Sequence, residues 1–375
     1  MTDVVLLAAG LGTRLRPLTL DRPKSMIAVA GEPLIHHLLA ELAALKVKRV
    51  VLVVGHGKDQ LQNYVGDGKR HGVTVTFVHQ AKQLGPGHAL LQAKPHLTGG
   101  DFVLLPADAW YSPDVLSRLL SAKGPMALQV ADARSSRFGI PQVRAGRLVD
   151  LLDDAADAKP LGGAYRLPRS VLDRLESGGT LKDAVRAEVR ASGGWDLHAV
   201  STDAYVDVWE AEDILRLHDR LLEGLVPANH GQLEPGVQVS GKVLIGKGTV
   251  VRSGTVIQGP VTIGDNCDIG PSAVLLPGTA LRNHVRVGPL SVLSQCLVGS
   301  NVEVASHCRI HRAYIDRGTR MAPGVYVAGG SGTIIGADAV LGAHARLDED
   351  ARIGTGAQVA AGRAVGSVPD RGMAV

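Results

Sequence analysis

Aromatic side chains are scarce in this chain of 375 residues, of which they make up 3%. Proteins that bind RNA or single-stranded DNA stack bases on aromatic platforms, so the shortage disfavours that class. The formal net charge of +4 is small for the length, and the pI near 9.0 points only weakly to anionic ligands. We therefore expect no nucleic-acid partner.

Cysteine is rarer still, with three residues. Cys267, Cys296 and Cys308 are odd in number and include no Cys-x-x-Cys spacing, which predicts reduced, buried thiols in a cytoplasmic protein. No apolar run approaches the roughly 18 residues of a membrane span. The apolar start, Val4 to Ala8, lacks the preceding basic residues of a signal peptide. We therefore expect no membrane partner.

Short apolar runs alternate with helical patterns through roughly the first 200 residues. The alternation predicts an α/β fold with a mostly parallel, Rossmann-like sheet covered on both faces. Ligands of such a sheet bind beyond the carboxyl ends of its strands, and glycines and polar residues follow several of the apolar runs. The predicted elements are strands at Val4–Ala8, Val50–Val54, Val73–Val78 and Phe102–Leu105, and a helix over Pro33–Leu45.

A different period begins after the segment 227–236, which is predicted to be a linker between a first domain, 1–226, and a second, 237–375. Aliphatic residues recur every six positions from Val239 to Leu293, and again from Ile335 to Val365. Between these two runs the register is irregular. A hexapeptide repeat is typical of a parallel β-helix whose aliphatic side chains form one continuous core. The repeat resembles the left-handed β-helix of hexapeptide acyltransferases, and this resemblance implies a homo-oligomer, commonly a trimer.

Two glycines follow the first strand in the run Leu6-Leu-Ala-Ala-Gly-Leu-Gly-Thr-Arg-Leu-Arg-Pro-Leu-Thr19, and Arg22-Pro-Lys-Ser-Met26 comes soon after. Glycine lets backbone N–H groups face a phosphate without an intervening Cβ, and arginine and lysine supply charge for its oxygens. The run lacks the Gly-Lys-Ser/Thr ending of a P-loop. Leu15 stands where the dinucleotide fingerprint has its third glycine.

Taken together, the run resembles the signature of the sugar nucleotidyltransferase family. The resemblance implies that Ala8, Gly10, Gly12 and Thr13 bind the nucleotide. It also implies that Arg14 and Lys24 act on the phosphates as catalytic residues.

Three further segments extend the resemblance. Gln80-Ala-Lys-Gln-Leu-Gly-Pro-Gly-His-Ala89 is similar to the loop with which the family reads a pyrimidine, which implies that Gln80 and the Gly85 backbone bind the base. Two other segments carry an acidic residue at or near the end of a predicted strand: Leu104-Leu-Pro-Ala-Asp108 and Ala204-Tyr-Val-Asp-Val208. The resemblance makes Asp108 catalytic and assigns Mg²⁺ to Asp108 and Asp207, in keeping with the preference of Mg²⁺ for oxygen ligands.

The sugar side departs from the family pattern. Asp153-Asp154-Ala155 replaces Glu-Lys-Pro, and Leu161-Gly-Gly163 replaces Asn-Ala-Gly, whereas Phe138-Gly139 keeps the aromatic-Gly pair. By position, Gly139, Asp153 and Gly163 are the expected sugar-binding residues.

Three functions remain open from the sequence. The first is a nucleotidyltransferase that joins UTP or dTTP to a hexose 1-phosphate, either glucose-1-phosphate or N-acetylglucosamine-1-phosphate. The second adds an acyltransferase activity in the β-helix, where His307 lies near the position of a family catalytic histidine. The third is a regulatory subunit that binds a nucleotide sugar without turnover, which would account for the altered sugar motifs.

Overall fold

The protein is described from a computed structural model that covers residues 2–131, 138–153 and 159–369. The chain divides into two compact units: the first comprises Met1–Gly12, Asp21–Ile27 and Pro33–Asp207, and the second comprises Thr13–Leu20, Ala28–Glu32 and Val208–Val375. Within the described ranges, no helix combines the length and hydropathy required of a membrane span.

Helices and strands alternate along the chain as far as residue 223. The strands are β1 (Asp3–Ala8), β2 (Ala28–Val29), β3 (Glu32–Pro33), β4 (Arg49–Val54), β5 (Thr74–His79), β6 (Phe102–Pro106), β7 (Ala109–Tyr111), β8 (Met126–Val130), β9 (Ile140–Arg144), β10 (Arg147–Leu152), β11 (Leu161–Leu167), β12 (Trp195–Val200) and β13 (Tyr205–Asp207). The helices are α1 (Leu34–Ala44), α2 (Lys58–Val65), α3 (Pro86–Ala93), α4 (Pro113–Ser121), α5 (Ser170–Glu176), α6 (Leu181–Ala191) and α7 (Ala211–Glu223), with single 3-10 turns at Thr13–Leu15, Lys24–Met26, Lys69–His71 and Lys94–His96.

The first unit is built on a nine-stranded sheet in the order β5-β4-β1-β6-β11-β8-β12-β10-β9. Strands β5, β4, β1 and β6 run parallel, and β11 pairs antiparallel with both β6 and β8. Buried aliphatic clusters cover the two faces of the sheet. The predicted α/β fold with a mostly parallel sheet is confirmed. The prediction works because strands that are apolar throughout are typical of a sheet buried on both faces.

The second unit stacks short strands into coils. They are β14 (Ala228–Asn229), β15 (Gln232–Leu233), β16 (Gln238–Ser240), β17 (Val243–Ile245), β18 (Val250–Val251), β19 (Val256–Gln258), β20 (Val261–Ile263), β21 (Asp268–Ile269), β22 (Val274–Leu275), β23 (Thr279–Leu281), β24 (Arg286–Val287), β25 (Val292–Val298), β26 (Glu303–Val304), β27 (Arg309–Ile315), β28 (Arg320–Met321), β29 (Tyr326–Val327), β30 (Thr333–Ile335), β31 (Val340–Leu341), β32 (Arg346–Ile353), β33 (Gln358–Val359) and β34 (Ala364–Val368).

These strands pair in parallel from coil to coil and form a left-handed β-helix, as predicted. One side, called face 2 below, is the eight-stranded sheet β15-β18-β21-β24-β26-β28-β31-β33. The segment predicted as a linker, 227–236, instead contributes β14 and β15, which pair with β17 and β18. It therefore forms part of the first coil, because its backbone finds ladder partners that the residue pattern alone does not reveal.

The hexapeptide core continues through the segment whose register is irregular in the sequence. After Leu293 the buried positions are Val298, Val304 and Ile310, so one step is five residues long and the next two are six. A shortened step leaves the inward direction unchanged when the missing residue comes from a corner. Val239, at the open first coil, is 43% exposed, because no earlier coil covers it.

The cysteines are free and buried, in agreement with the expectation of reduced thiols. Burial raises the pKa of Cys296 to about 12, and it also raises the pKa of Cys267 and of Cys308. Such thiols stay protonated and unreactive at neutral pH.

One buried histidine joins three segments of the second unit. His218 on α7 accepts a hydrogen bond at Nδ1 from the Ala30 backbone N–H (3.0 Å), and its Nε2 lies 3.1 Å from the Gly278 carbonyl oxygen. A ring that accepts at Nδ1 and donates at Nε2 is neutral. Burial lowers the pKa of His218 to about 4, which keeps it neutral.

Candidate active site

Two acidic side chains are brought together by one short pair of strands. Strand β13 pairs antiparallel with β7, and Asp207 lies opposite Ala109. Asp108 directly precedes Ala109 at the end of β6, where the parallel strands open toward ligand. The antiparallel register therefore places the two carboxylates side by side, although they are 99 positions apart in the sequence.

The ammonium of Lys24 lies between these carboxylates. Its Nζ is 2.6 Å from Asp108 Oδ2 and 3.4 Å from Asp207 Oδ1. The lysine is buried, with a side chain 9% exposed, while Asp108 and Asp207 are 23% and 14% exposed. The structure thus joins three of the predicted site residues into one cluster.

A glycine fixes the approach of the segment that carries Lys24. A Cβ added to Gly57, whose φ is +63°, would lie 2.5 Å from Cδ of Pro23. Any larger residue would push Pro23 outward, and Lys24 follows it directly. The absence of a side chain at the start of α2 therefore lets the Arg22-Pro23 backbone pack closely enough for Lys24 to reach the carboxylates.

The carboxylate pair fits a magnesium ion. Mg²⁺ is usually held by one or two carboxylates together with water and substrate phosphates, rather than by an all-protein cage. Two carboxylates already converge on a single cationic group here. In the part of the chain that the structure describes, no group of three or more His, Cys, Asp or Glu is arranged for a metal. A pair that relies on substrate oxygens is consistent with both observations.

The glycine loop follows β1. Ala8 ends the strand and is buried, and Gly10 is exposed, with open space where a Cβ would project. Gly12 has a left-handed φ of +62°. Gly55 at the end of β4 packs on the neighbouring Ala9, where a Cβ would lie 2.8 Å from the Ala9 carbonyl oxygen. The loop therefore presents backbone beyond the strand end, as the sequence predicts.

Thr13 and Arg14 belong to the second unit and begin its first 3-10 turn, where both are exposed. The Arg14 guanidinium lies over the ring of Trp209, 3.8 Å from its centroid. A stacked cation of this kind is oriented while its N–H groups remain available for an anion. Sequence reasoning missed Trp209, although it stands two residues after Asp207 and is one of only three tryptophans.

The predicted base-reading residues form a closed loop. Gln80 is buried, and its Nε2 donates to the Gly85 carbonyl oxygen (3.1 Å) and lies 2.9 Å from Nδ1 of His88. His88 sits on α3 and was given no role from the sequence. Since Gln80 and Gly85 contact each other directly, the structure brings this predicted pair together and adds His88 to it.

One of the two sugar-side glycines, Gly163, packs against the ring of Phe138. A Cβ added to Gly163 would lie 2.2 Å from a ring carbon of Phe138, and the Gly139 carbonyl accepts a hydrogen bond from Leu161 N–H (2.9 Å). Tyr205 donates to the carbonyl of the adjacent Gly162 (3.1 Å). Because Tyr205 and Asp207 share β13, one three-residue strand ties this glycine cluster to the carboxylate pair.

Asp153 lies at the exposed margin of that cluster, in a group of charges whose Lys182 packs against Gly139. It makes ion pairs with Lys182 and Arg186 of α6. The hydrogen bond from Lys182, helped by the charge of Arg186, lowers the pKa of Asp153. The next two residues of the Asp153-Asp154-Ala155 motif lie outside the described residues.

His307, considered above for acyl transfer, is an exposed corner residue with φ of +59°. The same backbone conformation recurs at the β-helix corners Asn266, His284, Asn301 and His344. The turn itself therefore accounts for the geometry at His307.

Comparison with known proteins decides the class of the first domain. Residues 3–152 match the family described as Nucleotidyl transferase. The first domain is therefore similar to nucleotidyl transferase domains over these residues. Residues 242–277 match the bacterial transferase hexapeptide family (six repeats), in agreement with the stacked coils that follow.

Similarity to known proteins extends through both domains. It is 29% identical over 320 residues to a Bifunctional protein GlmU from Methanococcus vannielii, covering 80% of this chain and 75% of the relative. It is 26% identical over 348 residues to a glucose-1-phosphate thymidylyltransferase of Streptomyces antibioticus (83% and 95%). A mannose-1-phosphate guanylyltransferase of Mycobacterium tuberculosis is 29% identical over 297 residues (76% and 81%).

A solved structure supports the fold. The crystal structure of a UDP-glucose pyrophosphorylase complexed with UDP-glucose aligns with a TM-score of 0.51 at 18% identity, covering 60% of this chain and 99% of that one. At that identity the likeness bears on the fold alone, and it covers about the length of the nucleotidyl transferase domain.

Proposed function

We propose that the protein joins UTP or dTTP to a hexose 1-phosphate, giving a nucleotide sugar and pyrophosphate. The hexose phosphate is glucose-1-phosphate or N-acetylglucosamine-1-phosphate. One observation carries the proposal: Lys24 and the Asp108–Asp207 pair meet in a single cluster at the strand ends of a nucleotidyl transferase domain. The names of the relatives support the same class of reaction.

The reaction is a displacement at the α-phosphorus of the nucleotide. An oxygen of the sugar phosphate forms the new P–O bond, and the bond to the β-phosphate oxygen breaks to release pyrophosphate. Because the attacking oxygen is already an anion, no general base is needed. Catalysis consists of holding the two anions in line and neutralising their charge.

Each part of the cluster has a distinct task in this proposal. Asp108 and Asp207 would hold Mg²⁺, which would neutralise charge on the phosphate oxygens. Lys24 contacts the α-phosphate and the sugar phosphate, where charge accumulates as attacker and leaving group crowd one phosphorus. The backbone from Gly10 to Thr13, with Arg14, cradles the β- and γ-phosphates, and Trp209 orients Arg14 from its other face.

The two organic groups are bound by the remaining residues. Gln80 and the Gly85 backbone bind the pyrimidine edge, and His88 supports Gln80. Gly139 and Gly163 lie where the sugar is expected, with Asp153 at their exposed margin. The bases of UTP and dTTP offer the same hydrogen-bonding edge, so a binding pocket distinguishes the two bases by contact with the thymine methyl group.

The direct test measures pyrophosphate release for a panel of nucleotides and sugar phosphates with Mg²⁺. UTP, dTTP, CTP, ATP and GTP are each paired with glucose-1-phosphate, N-acetylglucosamine-1-phosphate and mannose-1-phosphate. We expect turnover with a pyrimidine nucleotide and one of the first two sugars. Faster turnover with GTP and mannose-1-phosphate would overturn the substrate assignment, an outcome that the guanylyltransferase relative makes worth including.

The same panel separates the enzyme from a regulatory subunit. A regulatory protein would bind a nucleotide sugar, as measured by calorimetry, yet would release no pyrophosphate with any pair. Lys24, Asp108 and Asp207 are all present and in contact, which favours the enzyme. We also propose that the β-helix assembles the protein into a homo-oligomer, a trimer or a multiple of it.

A further inference from the structure

Face 2 of the β-helix carries a column of outward charges of alternating sign. Asp268, Arg286, Glu303 and Arg320 occupy equivalent positions in successive coils: each pairs in register with the next. The residue after each of them is buried in the core, so the four charged side chains point outward. We call these four residues the charged column.

Contacts within the chain satisfy the column only in part. Arg252 forms a two-pronged pair with Asp268 (2.9 and 3.0 Å), and Arg286 lies 3.4 Å from Glu303. Arg286 and Glu303 remain 74% and 52% exposed. Among the described residues Arg320 makes no ion pair. Exposed pairs of this kind contribute little to folding, so the alternation has room for another role.

Read from one end to the other, the column is complementary to its own reverse. Val250 and Val340 flank the charged column at its two ends, in the equivalent outward positions of β18 and β31. A two-fold axis between Arg286 and Glu303, perpendicular to the β-helix axis, would set each charge against an opposite one. Asp268 would face Arg320 of the second copy, Arg286 would face Glu303, and Val250 would face Val340. A side-by-side parallel arrangement would instead oppose like charges at every level.

The surface beside the column is low enough for close approach. A groove of about 590 Å³ runs along it. Small residues line that groove: Gly270, Gly288, Ala305, Ala322 and Gly342. Long arginine and glutamate side chains of a second copy therefore have space to lie flat. With strands spaced by roughly 4.8 Å, the eight-stranded face is about 34 Å long, which suits a modest, reversible interface.

We propose that face 2 is a self-association surface on which two copies pack antiparallel about a two-fold axis. A two-fold contact is isologous, so the same patch must complement itself, as the charged column does. The contact is independent of any rotational symmetry formed by other faces. In a dimer, or in a hexamer that combines it with a three-fold axis, its loss halves the mass.

Charge-reversed pairs test this surface. The all-acidic variant combines Arg286→Glu with Arg320→Glu, and the all-basic variant combines Asp268→Arg with Glu303→Arg. Each should repel its own copy and show half the wild-type mass by light scattering at micromolar concentration. An equimolar mixture of the two should restore the wild-type mass. The matched control, Arg309→Glu with Arg346→Glu, changes the outward residues of another face and should leave the mass unchanged.

Unchanged mass in both variants would overturn the proposal, and so would halved masses that mixing does not restore. Circular dichroism establishes that the variants are folded. Should either fail to fold, the double variant Val250→Cys with Val340→Cys provides a second test, because the native cysteines are buried. Mild oxidation should join its chains in pairs, and the absence of covalent pairs would contradict the antiparallel register.

Discussion

Lys24 lies between the two carboxylates that we propose for the metal ion. Its ammonium contacts both carboxylates at once, at 2.6 and 3.4 Å. If Asp108 and Asp207 hold a divalent ion as proposed, that ion and the Lys24 ammonium would compete for the same oxygens. Metal binding and the position of Lys24 would then be coupled.

This coupling predicts opposite effects of one substitution. Lys24→Met should bind Mn²⁺ more tightly than wild type, because the internal competitor is gone, and should lower kcat far more than it weakens nucleotide binding. Mn²⁺ affinity is measured by electron paramagnetic resonance, nucleotide affinity by calorimetry, and kcat in single-turnover reactions. Lys48→Met, at an exposed lysine, serves as the control. Unaltered Mn²⁺ affinity would show that the lysine does not compete, and a loss confined to nucleotide binding would favour the regulatory alternative.

Removal of the charge of Asp108 tests its proposed role in holding the metal ion. Asp108→Asn keeps the shape of the side chain and removes the charge, so we expect kcat to fall by at least about a hundredfold, since a positioned metal stabilises several kcal/mol of transition-state charge. Asp203→Asn, at an exposed position close to Asp207 in the sequence, should retain wild-type turnover. Near-normal activity of Asp108→Asn would remove Asp108 from the metal site.

At the scale of elements, the glycine in β11 sets how closely Phe138 packs. A Cβ at Gly163 would meet the Phe138 ring at 2.2 Å, and φ is +75°. Gly146, in the turn between β9 and β10, also has φ of +75° but has open space around its Cβ position. The two glycines therefore separate backbone strain from steric clash.

Gly146→Ala should destabilise the protein by about 1 kcal/mol through strain alone. Gly163→Ala adds overpacking and should cost about 1–3 kcal/mol more. Thermal unfolding followed by calorimetry measures both. Equal losses of stability in the two variants would mean that the Phe138 ring moves aside without cost. A separate measurement, KM for the sugar phosphate, reports whether the shifted ring disturbs the sugar-binding residues.

The buried histidine of α7 predicts a pH dependence. Burial lowers the pKa of His218 to about 4 in the folded protein, from the ordinary histidine value of about 6.5. The unfolded chain therefore binds the extra proton first, and stability is lost as the pH falls from about 6.5 toward 4. The full effect is on the order of 3 kcal/mol.

We would measure unfolding between pH 7 and 4 for wild type and His218→Gln. The variant should be less stable at pH 7 but should lose less stability on acidification. Burial raises the pKa of the neighbouring Asp219, an effect of opposite sign that is common to both proteins and cancels in the comparison. Parallel pH curves would exclude His218 as the titrating group.

At the scale of the whole molecule, the β-helix predicts assembly. Short strands stacked in register produce flat faces, and the family resemblance adds a three-fold habit. Light scattering of the wild type at micromolar concentration should therefore return a multiple of the 39.2 kDa chain mass. A value near that of one chain would contradict both the trimer and the two-fold contact of face 2.

Much of this architecture could be predicted because it follows from local patterns. Continuous apolar runs predict buried parallel strands, and the six-residue period predicts the coils, since each inward aliphatic residue occupies one side of the triangle. The phosphate loop is equally local: Gly10, Gly12 and Arg14 adjoin one strand end. Residues 227–236 show the converse, since they look irregular in the sequence and become β-structure only by pairing with the next coil.

The remaining features depended on contacts between distant residues. The sequence by itself determined the class of the two domains and the residue types of the site. Only the tertiary structure decided that Lys24 bridges Asp108 and Asp207, that Trp209 stacks on Arg14, and that His88 supports Gln80. It also continued the β-helix through the irregular steps after Leu293. Periodicity in the sequence predicts the direction in which a side chain points. The residue that it contacts depends on strand register and on which distant segments the fold brings together.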